Sequence, residues 1–235
     1  TYTINAKRSA SLTALKIVDA NDSSNVYANP GMLIGTYNYD NIFVPGNAVI
    51  SLVPTLKPTS GSAVIEGAVD GVFTPAWVNG ECAMKVSVSA DGFETSVYTI
   101  NLKEIPTLQV VTPMTKTEYN SGDKVDLTGL SVKAVYSNGE EVIDLSGDGV
   151  KIEPEGALGD TTEKITITYK KATLEIPVTV NGYKFKGSGT KDDPYLLENA
   201  EDCVGLSREV STGKTYSDNY FKITANITLP TDWVP

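Results

Sequence analysis

Apolar and polar side chains alternate one by one along most of this chain, and a helical spacing appears only from about residue 199. In CAMKVSVSA (82–90), Cys82, Met84, Val86 and Val88 fall on one face and Ala83, Lys85, Ser87 and Ser89 on the other. LSVKAVY (130–136) groups Leu130, Val132, Ala134 and Tyr136, and KITITY (164–169) groups Ile165, Ile167 and Tyr169. LEIPVTV (174–180) alternates Leu174, Ile176, Val178 and Val180 with Glu175, Pro177 and Thr179. Successive side chains of a strand point to opposite faces, so a period of two with one polar face predicts half-buried antiparallel strands. Pro177 has no N–H to give to a ladder, which predicts an edge strand or an outward-facing position.

Turn signals divide these runs. SNGEE (137–141) contains Asn138-Gly139, a pair that tolerates the positive φ of a type I′ hairpin. ADGF (90–93) reads as an Asp-Gly turn and YKKATL (169–174) as a short hairpin link. Short strands broken by turns every ~8–12 residues predict β-sandwiches. TYTIN opens the chain at 1–5 and VYTIN returns at 97–101, so Tyr2 and Tyr98 stand 96 positions apart. An immunoglobulin-sized sandwich takes ~100 residues, and the spacing suggests a tandem array. Two other readings compete: a strand tripeptide repeated by chance, or residues 1–5 as the first strand of the first module. The expected segments are 1–7 (tail of a preceding module or a first strand), 8–105, 106–181 and 182–235. The first two long segments are sandwiches, and the last carries a helix near 199–210.

The chain has 235 residues, room for one large domain or two to three small ones. Its net charge is −10 and it has no basic block, so nucleic acid and anionic membrane, which reward clustered Lys and Arg, are not expected partners. It has no histidine. That excludes Ser-His-Asp and Cys-His catalysis, His zinc sites and His pH switches. Cys82 and Cys203 lie in different segments and are expected as free buried thiols, because a disulfide needs Cα atoms within about 7 Å. No stretch nears the ~20 apolar residues of a membrane helix, so no direct membrane insertion is expected. The chain begins in mid-strand without Met or a signal peptide, and reads as a piece of something longer, a monomer within that chain.

Three resemblances follow. YNSGDKVDLTGLSVKAVYSNGEEVID (119–144) with ITITYKKATLEIPVTV (165–180) resembles the bacterial immunoglobulin-like repeats of surface proteins. Tyr119, Gly122, Asp123, Asp126, Leu127, Thr128, Gly129, Leu130 and Val132 carry the pattern. The first segment resembles a cadherin-like bacterial β-sandwich, through SLTALKI (11–17) and VSVSADGFETSVYTINLKE (86–104). The last resembles the start of a right-handed β-helix with GLUG repeats. That likeness rests on Gly187, Gly189, Thr190, Asp193, Pro194, Tyr195, Phe221, Ile227, Leu229, Trp233 and Pro235. Within it, Asn199 reads as an N-cap with Asp202 at N3, Cys203, Leu206 and Val210 share a face, and Gly213 is a stop. A single solenoid rung cannot bury its own face, so this segment needs following residues or must lean on the second sandwich.

No motif singles out a pair among the 29 acidic residues, and GSGT (187–190) lacks the Lys-Ser/Thr of a phosphate loop. Asp19, Asn21 and Asp22, in VDANDSSN (18–25), are candidate oxygens for Ca2+, the sole cofactor considered. A calcium site needs 6–8 oxygens from several segments, so an Asx-rich turn is the favoured reading. In GTYNYDNIF (35–43), Tyr37, Tyr39 and Phe43 fall on one alternating face, either a core face or a platform for sugar rings or a partner protein. Trp77 poses the same choice. The expected function is a non-catalytic stalk and adhesion stretch of a secreted or cell-surface bacterial protein, with host protein or glycan as partner; the family resemblance implies the extracellular placement. The alternative is a set of accessory modules of a large extracellular glycosidase or peptidase whose catalytic domain lies elsewhere.

Overall fold

The structure, a computed structural model, describes residues 8–231. The expectations for residues 1–7, Trp233 and Pro235 fall outside them. The chain forms two compact units. The first comprises Thr1–Gln109, Lys133–Val142 and Lys170–Ala172; the second comprises Val110–Val132, Ile143–Tyr169 and Thr173–Pro235. These units do not coincide one for one with the segments read from the sequence. The second holds most of the immunoglobulin-like stretch together with everything after it.

The first unit is a sandwich of two sheets. One has β1 (Ser11–Asp19) between β2 (Val26–Ala28) and β4 (Ile50–Lys57). The other runs β3 (Asn38–Pro45), β7 (Ser96–Ile105), β6 (Glu81–Ser89), β5 (Ser62–Ile65). The alternation of 82–88 is realised: Met84, Val86 and Val88 are fully buried, with Cys82 half-buried, and they face Ile100, Tyr98, Ser96 and Leu102 across the ladder. From the opposite sheet Leu15, Ile17 and Ile50 close the core. Among the described strands of this unit β3 runs parallel to β7, while β1–β2, β1–β4, β5–β6 and β6–β7 pair antiparallel.

The hairpin of β10 (Ser131–Tyr136) and β11 (Gly139–Val142) tests the turn expectation. Tyr136 pairs with Gly139, so Ser137 and Asn138 make the turn, and neither Asn138 nor Gly139 has positive φ. The type I′ turn expected at Asn138-Gly139 is therefore not formed: the turn lies one residue earlier, at Ser137-Asn138, without positive φ. The cause is tertiary. Ser137 donates its N–H and its hydroxyl to Glu104 Oε1, both at 2.6 Å, and Asn138 Nδ2 donates to the Trp77 carbonyl at 2.6 Å. The paired positive φ instead occurs at Lys170 (46°) and Lys171 (66°).

In the second unit β12 (Val150–Glu153), β13 (Lys164–Tyr169) and β14 (Ala172–Pro177) form a sheet with β14 at its edge, where Pro177 is tolerated. β9 (Glu118–Asn120) and β15 (Thr179–Asn181) pair in parallel. Tyr119, 2% exposed, packs with Met114, Leu158, Ile165 and Val180. Its hydroxyl donates to the Lys116 carbonyl at 3.1 Å and accepts from Asp126 N–H at 3.3 Å. Gly122 and Gly129 both hold positive φ. A Cβ on Gly129 would meet Thr115 Cγ2 at 3.0 Å, so that corner needs glycine twice over.

Past residue 182 come β16 (Tyr195–Leu197), helix α1 (Ala200–Ser211) and β17 (Phe221–Ile223), with β16 and β17 parallel. The capping box is present as read: Asn199 Oδ1 accepts from Glu201 and Asp202 N–H, and Asp202 Oδ2 accepts from Asn199 N–H. The helix face is as read only in part. Val210 is 53% exposed. Cys203 and Leu206 are half-buried, as is Asp202, and the fully buried positions of the helix are Gly205 and Glu209.

Candidate functional site

The aromatic run of β3 does not act as one face. Its register against β7 slips between Tyr39 and Ile42, where Asn41 takes φ of 58°. The extra residue of a bulge flips the faces beyond it. Tyr39 turns inward and donates from its hydroxyl to the Thr36 carbonyl at 3.2 Å. Ile42 and Val44 join it in the core, and Phe43 comes to lie under Lys171 Nζ, 5.4 Å from the ring centre. Tyr37 is half-exposed, with its ring 5.2 Å from that of Tyr98. Trp77 packs against the core and donates Nε1–H to the Gly46 carbonyl at 2.8 Å. The four aromatic candidates thus occupy four separate environments. The signal for the bulge was Asp40-Asn41, residue types that tolerate left-handed φ.

Asp19, Asn21 and Asp22 form a turn that uses its own oxygens. Asp19 Oδ1 accepts from Asn21 N–H at 2.8 Å, and Asp22 Oδ1 from Ser24 N–H at 3.0 Å and Ser24 Oγ at 2.6 Å. These bonds hold both carboxyls below the ordinary Asp range, through the Asn21 N–H at Asp19 and the Ser24 hydroxyl at Asp22. Among the described residues no cluster of three or more His, Cys, Asp or Glu side chains has metal-holding geometry.

Two buried carboxylates escaped the sequence reading. Glu104 is 2% exposed and ends the inward stripe Ser96, Tyr98, Ile100, Leu102 on β7. The period of two, carried one step further, points to it. Its Oε1 takes both donors of Ser137, and Oε2 is buried with no hydrogen-bond partner among the described residues. Glu209 is 0% exposed. Its Oε1 accepts from Tyr183 N–H at 2.6 Å, and Oε2 lies 2.9 Å from Lys214 Nζ as an ion pair not aligned as a hydrogen bond. Lys214 also reaches Asp160 Oδ2 at 2.6 Å. Burial lowers the Lys214 pKa, but the Asp160 and Glu209 carboxylates outweigh it and the net shift is upward. Tyr183 completes the arrangement by lying over Gly205, where a Cβ would come within 2.4 Å of its ring, and by donating its hydroxyl to Asp202 Oδ1 at 2.8 Å. The acids at both places key parts of the fold together.

Among the described residues several clefts are open to a ligand, and two of them contrast in their lining. On the first unit, a cleft of 1150 Å³ is lined by Asp40, Asn79, Glu81, Asn101, Lys103 and neighbours. Four of its polar groups are paired: Asn101 donates to Asp40 at 2.7 Å, and Lys103 pairs with Glu81 at 3.6 Å. On the second unit, a cleft of 430 Å³ is lined by Tyr183, Lys184, Phe185, Tyr195, Tyr216, Asn219 and neighbours. Tyr216 stands edge-on to Phe185, Tyr195 and Phe221, at interplanar angles of 81°, 85° and 82°. Gly189, at φ of 76°, lets the Tyr195 ring and the Asn219 amide close over bare backbone.

Comparison with known proteins agrees with part of this description. Residues 112–180 match the model of a bacterial Ig-like domain (group 3). An exo-beta-1,6-galactobiohydrolase of Bifidobacterium longum subsp. longum is 38% identical over 112 residues, 44% of this chain. The match spans 7% of the length of that curated relative. The solved immunoglobulin domains 1–5 of Sidekick-1 align with 80% of this chain and 43% of that one, at 9% identity and a TM-score of 0.29. At that score the likeness adds nothing to the fold already described.

Proposed function

We propose that this chain is a non-catalytic stretch of a multimodular extracellular bacterial protein that acts on galactose-containing glycans, with its Ig-like modules serving as spacers that present neighbouring domains. The observation that carries this reading is the 38% identity to an exo-beta-1,6-galactobiohydrolase, over a stretch amounting to 7% of that enzyme. A match so short against so long a protein fits an accessory module. The buried acids fit it too, since Glu104 and Glu209 are spent on holding turns and a helix. A spacer has to be stiff, and in the second unit the helix, Asp160 and the backbone at Tyr183 are tied through Glu209 and Lys214. Among the described residues no helix is long and apolar enough to cross a membrane. The adhesin reading shares the spacer role, and nothing in the geometry favours it over the glycan-linked one.

The test is to incubate the purified chain with β-1,6-linked galactan and with galactobiosides, following release of reducing ends. The expected result is no release above buffer. Turnover that disappears on substituting a carboxylate of this chain would overturn the non-catalytic reading.

A further inference from the structure

We propose that the 430 Å³ cleft walled by Tyr195, Tyr216 and Phe185 is a sugar-binding subsite that takes a β-linked galactosyl disaccharide. The proposal rests on the glycan-linked function above and adds a place and a ligand to it. Its volume lies in the lower part of the ~300–1,000 Å³ range of small-molecule sites, room for about two hexose rings.

The lining has the two chemistries a hexose needs. A galactose ring with its axial hydroxyl has one face of C–H groups, and such a face stacks on aromatic carbon. Phe185 and Tyr195 supply tilted rings with centres 5.4 Å apart, and Tyr216 stands across Tyr195 at 85° as a wall. Hydroxyls around the rim of a sugar need donors and acceptors that are not already used. Among the described residues, Lys184 Nζ, the Asn219 amide and the Tyr195 hydroxyl have no hydrogen-bond partner, and all three residues line the cleft. In the first unit's cleft Asp40 and Asn101 pair with each other, as do Glu81 and Lys103. Rings held against one another by several aromatic contacts give up little side-chain freedom on binding, which lowers the entropic cost of holding a sugar there.

The experiment is calorimetric and NMR titration of the whole chain with β-1,6-galactobiose, and separately with cellobiose and xylobiose. Saturable binding of galactobiose is expected. Lys184→Ala and Asn219→Ala, which remove exposed polar arms and leave the rings in place, should each weaken it about tenfold, a loss of ~1.4 kcal/mol. Tyr195→Phe, keeping the ring, should weaken it less. Galactobiose binding that is unchanged by Lys184→Ala and Asn219→Ala overturns the site while leaving the glycan-linked reading intact. Equal or tighter binding of cellobiose or xylobiose overturns the galactosyl assignment. No binding of any of the three overturns the proposal, and the spacer reading then stands on the hydrolysis test alone.

Discussion

In the first unit, β6 and β7 face the core with Met84 opposite Ile100 and Val86 opposite Tyr98, an apolar seam drawn from two strands of alternating sequence. In the second, α1 turns Asp202, Gly205 and Glu209 inward and leaves Val210 in solvent. One seam is held by area removed from water, which is non-directional and tolerant of exchange among similar shapes. The other is held by fixed donors and acceptors: Tyr183 N–H on Glu209, the Tyr183 hydroxyl on Asp202, and Lys214 bridging Glu209 to Asp160. Such a seam contributes less through burial and more through geometry, so small changes should damage it out of proportion to their size.

The largest effect is expected in the apolar seam. Ile100→Ala removes a fully buried side chain and should cost about 3–5 kcal/mol, read as a drop in the denaturant midpoint of the first unit. Next comes Glu209→Ala, which leaves Lys214 with Asp160 alone and the Tyr183 N–H without its acceptor. A loss of about 3 kcal/mol is expected, confined to the second unit. Third is Gly205→Ala. In an exposed helix this change stabilises by ~1 kcal/mol. Here the new methyl meets the Tyr183 ring, so a net loss of about 1–3 kcal/mol is expected, and a gain would show that the ring is not held over the helix.

The sign of a pH dependence sharpens the comparison. Burial raises the Asp202 carboxyl, but the N–H of Glu198 and the Tyr183 hydroxyl outweigh it and the net shift is downward. Asp123 is lowered by the Asn120 N–H, and Lys116 adds to the shift. A folded pKa below the unfolded value of ~3.9 gives stability that is present above that pH and lost as pH falls through the lowered pKa. Below about pH 4 the second unit should therefore lose melting temperature, and Asp202→Asn should flatten that dependence. The smallest effect is a gain. Lys171 sits at φ of 66°, so Lys171→Gly should relieve strain by about 0.5–1 kcal/mol, less whatever its contact with the Phe43 ring contributes.

What was legible in the sequence follows the same division. The stripes Met84, Val86, Val88 and Ile165, Ile167 depend on local period alone, and they are buried as read. The Asn199–Asp202 capping box is equally local and is present. The face of α1 was legible only in part: Cys203 and Leu206 are half-buried, but Val210 is exposed and the fully buried positions are Gly205 and Glu209, which face Tyr183, a residue outside the helix whose ring needs Gly205 beneath it. The turn at Asn138-Gly139 moved by one residue because Glu104 captures Ser137 from 33 positions away in sequence. The aromatic run 37–43 lost its common face to a bulge. In each instance a long-range polar contact or an inserted residue overrode a local preference, and neither is visible from periodicity.

The central claim is that Glu209 makes α1 and the immunoglobulin-like part of the second unit a single cooperative piece, as the proposed spacer role requires. Native-state hydrogen exchange on the chain and its Glu209→Ala variant tests it most directly. In the parent chain the amides of α1 and of β13 should exchange with one common opening free energy, and in the variant α1 should open on its own while β13 stays protected. An α1 that already exchanges independently of β13 in the parent chain would contradict it.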